Sequence, residues 1–153
     1  MSKYENAMKL MDDRCGNNKD NLIALATLDT CGTRPAVRML DAYYEDGAFY
    51  ISTNAVSAKM KQIEANNTVA IGGTEWFTAQ GTAENLGWVK DEKNADIRAK
   101  MKKIFVWFDD HAGEDSPNSI VLRVNLTEGT IIDHAQTYGE GRYDVDFVNK
   151  TAK

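Results

Sequence analysis

Cysteine is scarce in this chain: Cys15 and Cys31 are the whole complement, and they show no CxxC spacing. That excludes a disulfide framework and points to two free thiols. Positive charge is in deficit, with 18 Lys and Arg against 23 Asp and Glu and a net charge of −5. Without a basic stripe there is no field to gather nucleic acid. Long apolar runs are missing too, and the opening Met1-Ser2-Lys3-Tyr4-Glu5-Asn6 is polar. The expectation is a cytoplasmic protein with no membrane or nucleic-acid partner. No G-x-S-x-G, H-E-x-x-H or strand-following G-x-G-x-x-G occurs, and neither His111 nor His134 stands in a triad context. His111 lies among Asp109, Asp110, Glu114 and Asp115 at spacings that match no metal site, so a solvated acidic loop is expected and no metal. No side chain announces itself as a general acid or base, and the catalytic residues stay unknown.

What is present is a chain of 153 residues with 42% apolar content, enough for one domain, 1–153, with a real core. Tyr4, Ala7, Met8 and Met11 recur at helical spacing before Gly16. Strands are predicted at 22–28, 34–44, 48–52, 68–71 and 76–84, with turns at Asp29-Thr30-Cys31-Gly32 and Glu45-Asp46-Gly47. In the last of these strands Phe77, Ala79, Gly81 and Ala83 share one face. Helices are predicted at 57–66 and 91–103, the second with Ile97, Met101, Ile104 and Phe105 along one stripe. A final hairpin is expected from 119–125 and 130–134 across Thr127-Glu128-Gly129, followed by a polar, irregular tail after Tyr138, in which Tyr143, Val145 and Phe147 alternate as an edge strand packed on the barrel would. Hairpin-linked strands with a single inserted helix imply a mainly β protein, an antiparallel barrel with peripheral helices, and not a βαβ sheet.

The most informative stretch runs from Phe49 to Ile63: a buried strand, a polar turn and a helix opened by Ser57. Lys59 and Lys61 fall in the first helical turn, where the macrodipole already places partial positive charge. An anion between them accounts for the arrangement, because free N–H groups at a helix start bind phosphate. Taken alone, Ser57-x-Lys59 is more often an N-cap with two solvated lysines. Upstream, Arg38 shares a strand face with Ala36, Leu40 and Ala42, and an arginine there needs a partner if the face is buried. The two features in series point to a phosphate-bearing cofactor.

Leu25-Ala26-Thr27-Leu28-Asp29, Arg38-Met39-Leu40, Phe49-Tyr50-Ile51-Ser52-Thr53-Asn54, Ser57-Ala58-Lys59 and Gly81-Thr82-Ala83-Glu84 follow one another with the order and spacing of a known family. Over about sixty residues the chain resembles the pyridoxamine 5'-phosphate oxidase-like split barrels that bind flavin mononucleotide (FMN). Trp107-Phe108 and Asp115-Ser116-Pro117-Asn118 look more like the general-stress-protein and nitroimidazole-resistance branch. The resemblance implies a six-stranded split barrel and a homodimer with FMN in two interfacial grooves. It also implies electron transfer from NAD(P)H through the flavin to a small acceptor. Carried over, Arg38, Met39 and Leu40 line the flavin, Ser52, Thr53 and Asn54 run past the ring, and Ser57 and Lys59 hold the phosphate. The family often carries a second basic residue where Ala58 stands, and Lys61 is the expected substitute. Trp76 stands where the family often has a glutamine; it is a candidate to stack on the ring, as Gln80 is to enter the groove, although core packing is the preferred reading for Trp76, Trp107 and Phe108. The true vitamin enzymes close an arginine-rich, histidine-bearing C-terminal segment over the substrate phosphate, whereas here that segment has one arginine, no histidine and three carboxylates. The alternatives are a flavin-binding stress or sensor protein without turnover, and a split barrel holding haem or a deazaflavin. Haem wants an axial His or Cys in the groove, and neither His111 nor His134 is well placed in the sequence for that.

Overall fold

The computed structural model describes residues 1–73, 76–137 and 139–153. Helix α1 spans Lys3–Cys15. Ser2 and Glu5 form a reciprocal capping box at its start, which satisfies two otherwise orphaned backbone donors. Strands β1 (Asn21–Leu28), β2 (Pro35–Glu45) and β3 (Ala48–Asn54) follow, then α2 (Ala58–Ala65), β4 (Thr68–Gly72) and β5 (Phe77–Trp88). After a 3-10 turn at Glu92–Asn94 come α3 (Ala95–Ile104), α4 (Phe108–His111), β6 (Ser119–Ile132), β7 (Arg142–Asp146) and β8 (Thr151–Ala152).

All pairings are antiparallel. The order β3-β2-β1-β4-β5-β6 closes on itself because β3 also pairs with β6, giving a six-stranded barrel. Closure removes the free edges that an open sheet exposes. The alternation foreseen in β5 is present: Phe77, Ala79, Gly81 and Ala83 are buried, and the residues between them are exposed. The barrel interior is filled by Ile23, Leu25, Phe49, Ile51, Val69, Ile71, Leu122, Val124 and Ile131. A second apolar layer lies outside the barrel under α3 and α4, built from Tyr43, Val89, Met101, Ile104, Phe105, Phe108 and Val121. Phe108 is thus core, and Trp107 stacks on Phe105 with ring centroids 5.0 Å apart. Both cysteines are free, and burial pushes the Cys15 thiol up to about 12.

Two expectations are corrected. The segment 119–134 is no hairpin: β6 runs unbroken across Thr127-Glu128-Gly129. Gln80 faces Glu128 and Gly81 faces Leu126, so Thr127 is a bulge residue and not a turn. At this point β6 stops pairing with β3 and starts pairing with β7. Gly129 is needed for close approach, since a Cβ there would lie 2.6 Å from the Thr78 carbonyl oxygen. The tail is not irregular either. It forms β7 and β8, with Tyr143 and Val145 buried and Phe147 packed against the same core. Tyr138, where the tail was expected to begin, lies outside the described residues.

An ion cluster ties the loop after α4 to α3. Glu114 accepts from Arg98 Nε at 2.7 Å and Nη2 at 3.0 Å, with Lys102 at 3.4 Å. These hydrogen bonds, that from Arg98 first, hold the Glu114 carboxyl at about 2. A carboxyl lowered on folding adds stability above its unfolded pKa and loses it as pH falls toward the folded value. Glu114→Gln should therefore lower the melting temperature by about 2–4 °C near neutral pH, a figure suited to a partly solvated bridge. Thermal melts at descending pH should show that difference closing between about pH 4 and pH 2; a constant difference would refute the assignment.

Candidate functional site

Arg38 sits opposite Leu25 in the β1–β2 register, so it faces the barrel side of the sheet with Leu25 and not the solvent side. Its guanidinium donates to Leu25 O at 3.2 Å, to Thr27 Oγ1 at 2.7 Å and, from α2, to Gln62 Oε1 at 2.9 Å. The buried Thr27 hydroxyl itself donates to Gln62 Oε1 at 2.6 Å. The partner that an arginine on this face requires is therefore a set of neutral oxygens. They fix its position without cancelling its charge.

Lys59 projects from the first turn of α2, and its ammonium donates to Thr53 Oγ1 at 2.8 Å and to Ser57 Oγ at 3.4 Å. Burial first, and then the Arg38 charge, pull the Lys59 pKa down. Burial alone pulls down that of Arg38. Among the described residues no carboxylate forms an ion pair with Arg38, Lys59 or Lys61. Two partly buried cations without a counter-charge are costly unless an anion joins them.

Ser57 is the N-cap residue in extended backbone, yet its side chain makes no capping bond. The first intrahelical bond runs from Lys61 N–H to Ser57 O, so the amides of Ala58, Lys59 and Met60 have no acceptor four residues back within α2. A hydroxyl, three amides, an ammonium and a guanidinium thus meet at one end of the barrel, a donor set suited to a phosphate.

The remaining expected residues divide. Thr53 joins the cluster through its hydroxyl. Leu40 packs against the barrel core, whereas Met39, opposite Ala24, is exposed on the outer face. Ser52 is opposite Val121 and so faces away from Thr53. Asn54 Oδ1 accepts from Val56 N–H at 3.0 Å and shapes the turn into α2. Lys61 is exposed and lies about 200° round the helix from Lys59, so it does not stand in for a second basic residue beside Ser57. Trp76 goes to the far end: its neighbour Phe77 pairs with Ile131, while Thr53 pairs with Ile120 at the other end of β6. There Trp76 lies against the core under Arg14, 5.1 Å from its guanidinium carbon. Thr27 and Gln62 are the members that sequence reading missed. The one signal for Thr27 is its inward parity in β1, and Gln62 on a short helix gives none.

A groove of about 730 Å³ runs along the outer barrel face, floored by small residues including Ala24, Ala26, Ala70 and Gly72. Glu128, Asp144, Asp146 and Lys153 line it as well. Among the described residues no helix is long and apolar enough to cross a membrane.

Solved structures share this architecture. A haem-binding protein from Mycobacterium smegmatis superposes with a TM-score of 0.69 at 16% identity, over 98% of this chain and 60% of that one. The present chain thus spans three-fifths of the mycobacterial protein. HutZ, the haem storage protein from Vibrio cholerae, gives 0.63 at 17% identity over 86% and 95% of the two chains. A NimC/NimA family protein from Clostridium acetobutylicum gives 0.62 at 18% over 94% and 96%. At these identities the likeness speaks for the fold. No curated protein sequence matches the chain. The sequence pattern of the family described as pyridoxamine 5'-phosphate oxidase matches residues 14–133, and the closed antiparallel barrel agrees with it: the chain belongs to that family.

Proposed function

We propose that this protein binds FMN and works as a homodimeric oxidoreductase, passing electrons from a reduced nicotinamide to a small acceptor. The observation that carries the reading is the uncompensated pair Arg38 and Lys59 beside the opening turn of α2. Ser57, Lys59, Arg38 and the amides of the first α2 turn would hold the phosphate. The exposed Met39 and the alanine floor of the groove would flank the ring. A bound flavin supplies the redox chemistry, and the chain supplies orientation and field. Thr27 and Gln62 hold the guanidinium in place while leaving its charge available.

Haem is the second reading, supported by two structural neighbours, the mycobacterial haem-binding protein and the haem storage protein HutZ. Its propionates would also suit the cation pair. It requires an axial ligand as well, and the residues around Arg38 and Lys59 named above are hydroxyls and amides. Purified protein incubated with each group separates the readings. A flavin absorption spectrum, bleached by added NADH or NADPH, is expected; a haem Soret band with no flavin uptake would reverse the order of the two, and a flavin band that never bleaches would leave a binding protein without turnover.

A further inference from the structure

Arg38, Thr27 and Gln62 form a closed circuit of hydrogen bonds. Arg38 Nη1 donates to Thr27 Oγ1 at 2.7 Å, Thr27 Oγ1 donates to Gln62 Oε1 at 2.6 Å, and Gln62 Oε1 also accepts from Arg38 Nη2 at 2.9 Å. The directions are forced. A guanidinium only donates, so Thr27 turns its own proton to Gln62, and the amide turns its oxygen, not its nitrogen, to both. Nη1 donates to Leu25 O as well, at 3.2 Å. Thr27 and Gln62 thus take the blunt end of the guanidinium, the edge between Nη1 and Nη2. An arginine has five N–H donors. The two on the side edge, Nε–H and the second Nη2–H, have no acceptor among the described residues. That edge is a fork matched to two oxygens of a phosphate or carboxylate. Arg98 uses the same edge on Glu114, from Nε at 2.7 Å and Nη2 at 3.0 Å.

Stability alone would place an acid at position 62. A glutamate there has the same length and accepts the same two bonds. It would also pair with a half-buried arginine that has no ion pair among the described residues. A charged acceptor makes such a bond roughly twice as strong. The amide instead fixes the guanidinium and leaves it cationic. Gln62 follows Lys59 by three residues and Ala58 by four on α2, so the three share one helix face, and Ala58 adds no charge to it. The Arg38 charge reaches Lys59: burial first, and then Arg38, lower the Lys59 pKa, and one anion relieves both cations.

We infer that Gln62 is a specificity-determining positioning residue, whose neutral oxygen sets the side edge of Arg38 for a ligand phosphate and keeps the whole arginine charge for that phosphate. The inference rests on the phosphate site of the proposed function and adds what makes the site prefer a phosphomonoester to the same ligand without its phosphate.

Two variants of the full chain separate this role from a merely structural one. Gln62→Glu keeps the circuit and cancels the charge. Without ligand it should melt at or above the wild-type temperature, yet bind FMN about 10- to 100-fold more weakly, the equivalent of one hydrogen bond to a charged group. Riboflavin should bind within a few-fold of wild type, so the preference for FMN collapses. Gln62→Met keeps the length and the Arg38 charge but offers no oxygen to the circuit. It should melt below wild type and still prefer FMN to riboflavin more strongly than Gln62→Glu does. Isothermal titration and thermal melts read both effects. Losses of stability and of FMN affinity that run in parallel in the two variants, a Gln62→Glu protein that melts well below wild type, or one that keeps the FMN preference would each overturn the inference. Inorganic phosphate, compared with sodium chloride at equal ionic strength, keeps it apart from the cofactor reading. Phosphate that raises the melting temperature of wild type but not of Gln62→Glu, in a protein that takes up no FMN, upholds Gln62 and sinks the flavin. FMN bound equally well by wild type and Gln62→Glu does the reverse. A wild type stabilised by neither ligand overturns both.

Discussion

Replacing Lys59 by alanine should weaken FMN binding about 10- to 100-fold, because a hydrogen bond to a charged group contributes roughly 1.5–3 kcal/mol. Riboflavin, which lacks the phosphate, should lose far less. The barrel should tolerate the change, since among the described residues the Lys59 ammonium donates only to the Thr53 and Ser57 hydroxyls and both can turn to water. Arg38→Ala is a poorer probe, because it also removes a hydrogen bond from each of Leu25 O, Thr27 and Gln62. Isothermal titration of FMN and riboflavin into wild type and Lys59→Ala measures the effect. Equal losses for the two ligands would show that Lys59 shapes the pocket without touching phosphate.

Pyridoxamine phosphate should not be oxidised at a useful rate. The C-terminal segment that would have to receive the substrate phosphate is β7, built into the sheet beside β6. Its one arginine, Arg142, is committed to Asp144 at 3.1 Å. Hydrogen bonds from Arg142 and then Thr130 hold the Asp144 carboxyl below its usual range, so it is ionised at neutral pH. With Glu128 and Asp146 it gives the groove an acidic wall that repels a phosphate dianion. A lone paired arginine cannot replace a bidentate cluster. An oxygen-uptake assay on flavin-loaded protein is the check. Turnover near about 1 s⁻¹, ordinary for an enzyme on its own substrate, would place this chain with the vitamin enzymes after all.

How far the sequence reached follows from the range of the forces involved. The helical spacing of α1, the β2–β3 turn and the alternation of β5 depend on residues close in sequence, and all were readable there. Arg38 and Lys59 were readable as cations in places where cations need a reason. The closure of β3 on β6 is a contact across more than sixty residues, and no local pattern encodes it. Gly129 misled because glycine serves tight turns and close strand approach alike, and only the neighbouring strand shows which. Trp76 was a candidate by analogy, but the β5–β6 register sends it to the opposite end from Lys59. β7 is legible in part: Tyr143, Val145 and Phe147 alternate as an edge strand does, while Asp144 and Asp146 make the segment polar as a whole.

The central claim is that the donors around Lys59 and Arg38 receive the phosphate of a flavin. Thermal unfolding of the ligand-free protein with FMN, with riboflavin and with neither tests it most directly. FMN at about 100 times its dissociation constant should add roughly 2.7 kcal/mol to apparent stability and raise the melting temperature by several degrees. Riboflavin at the same concentration should raise it much less. A melting temperature that FMN leaves unchanged, or that riboflavin raises just as far, would contradict the account.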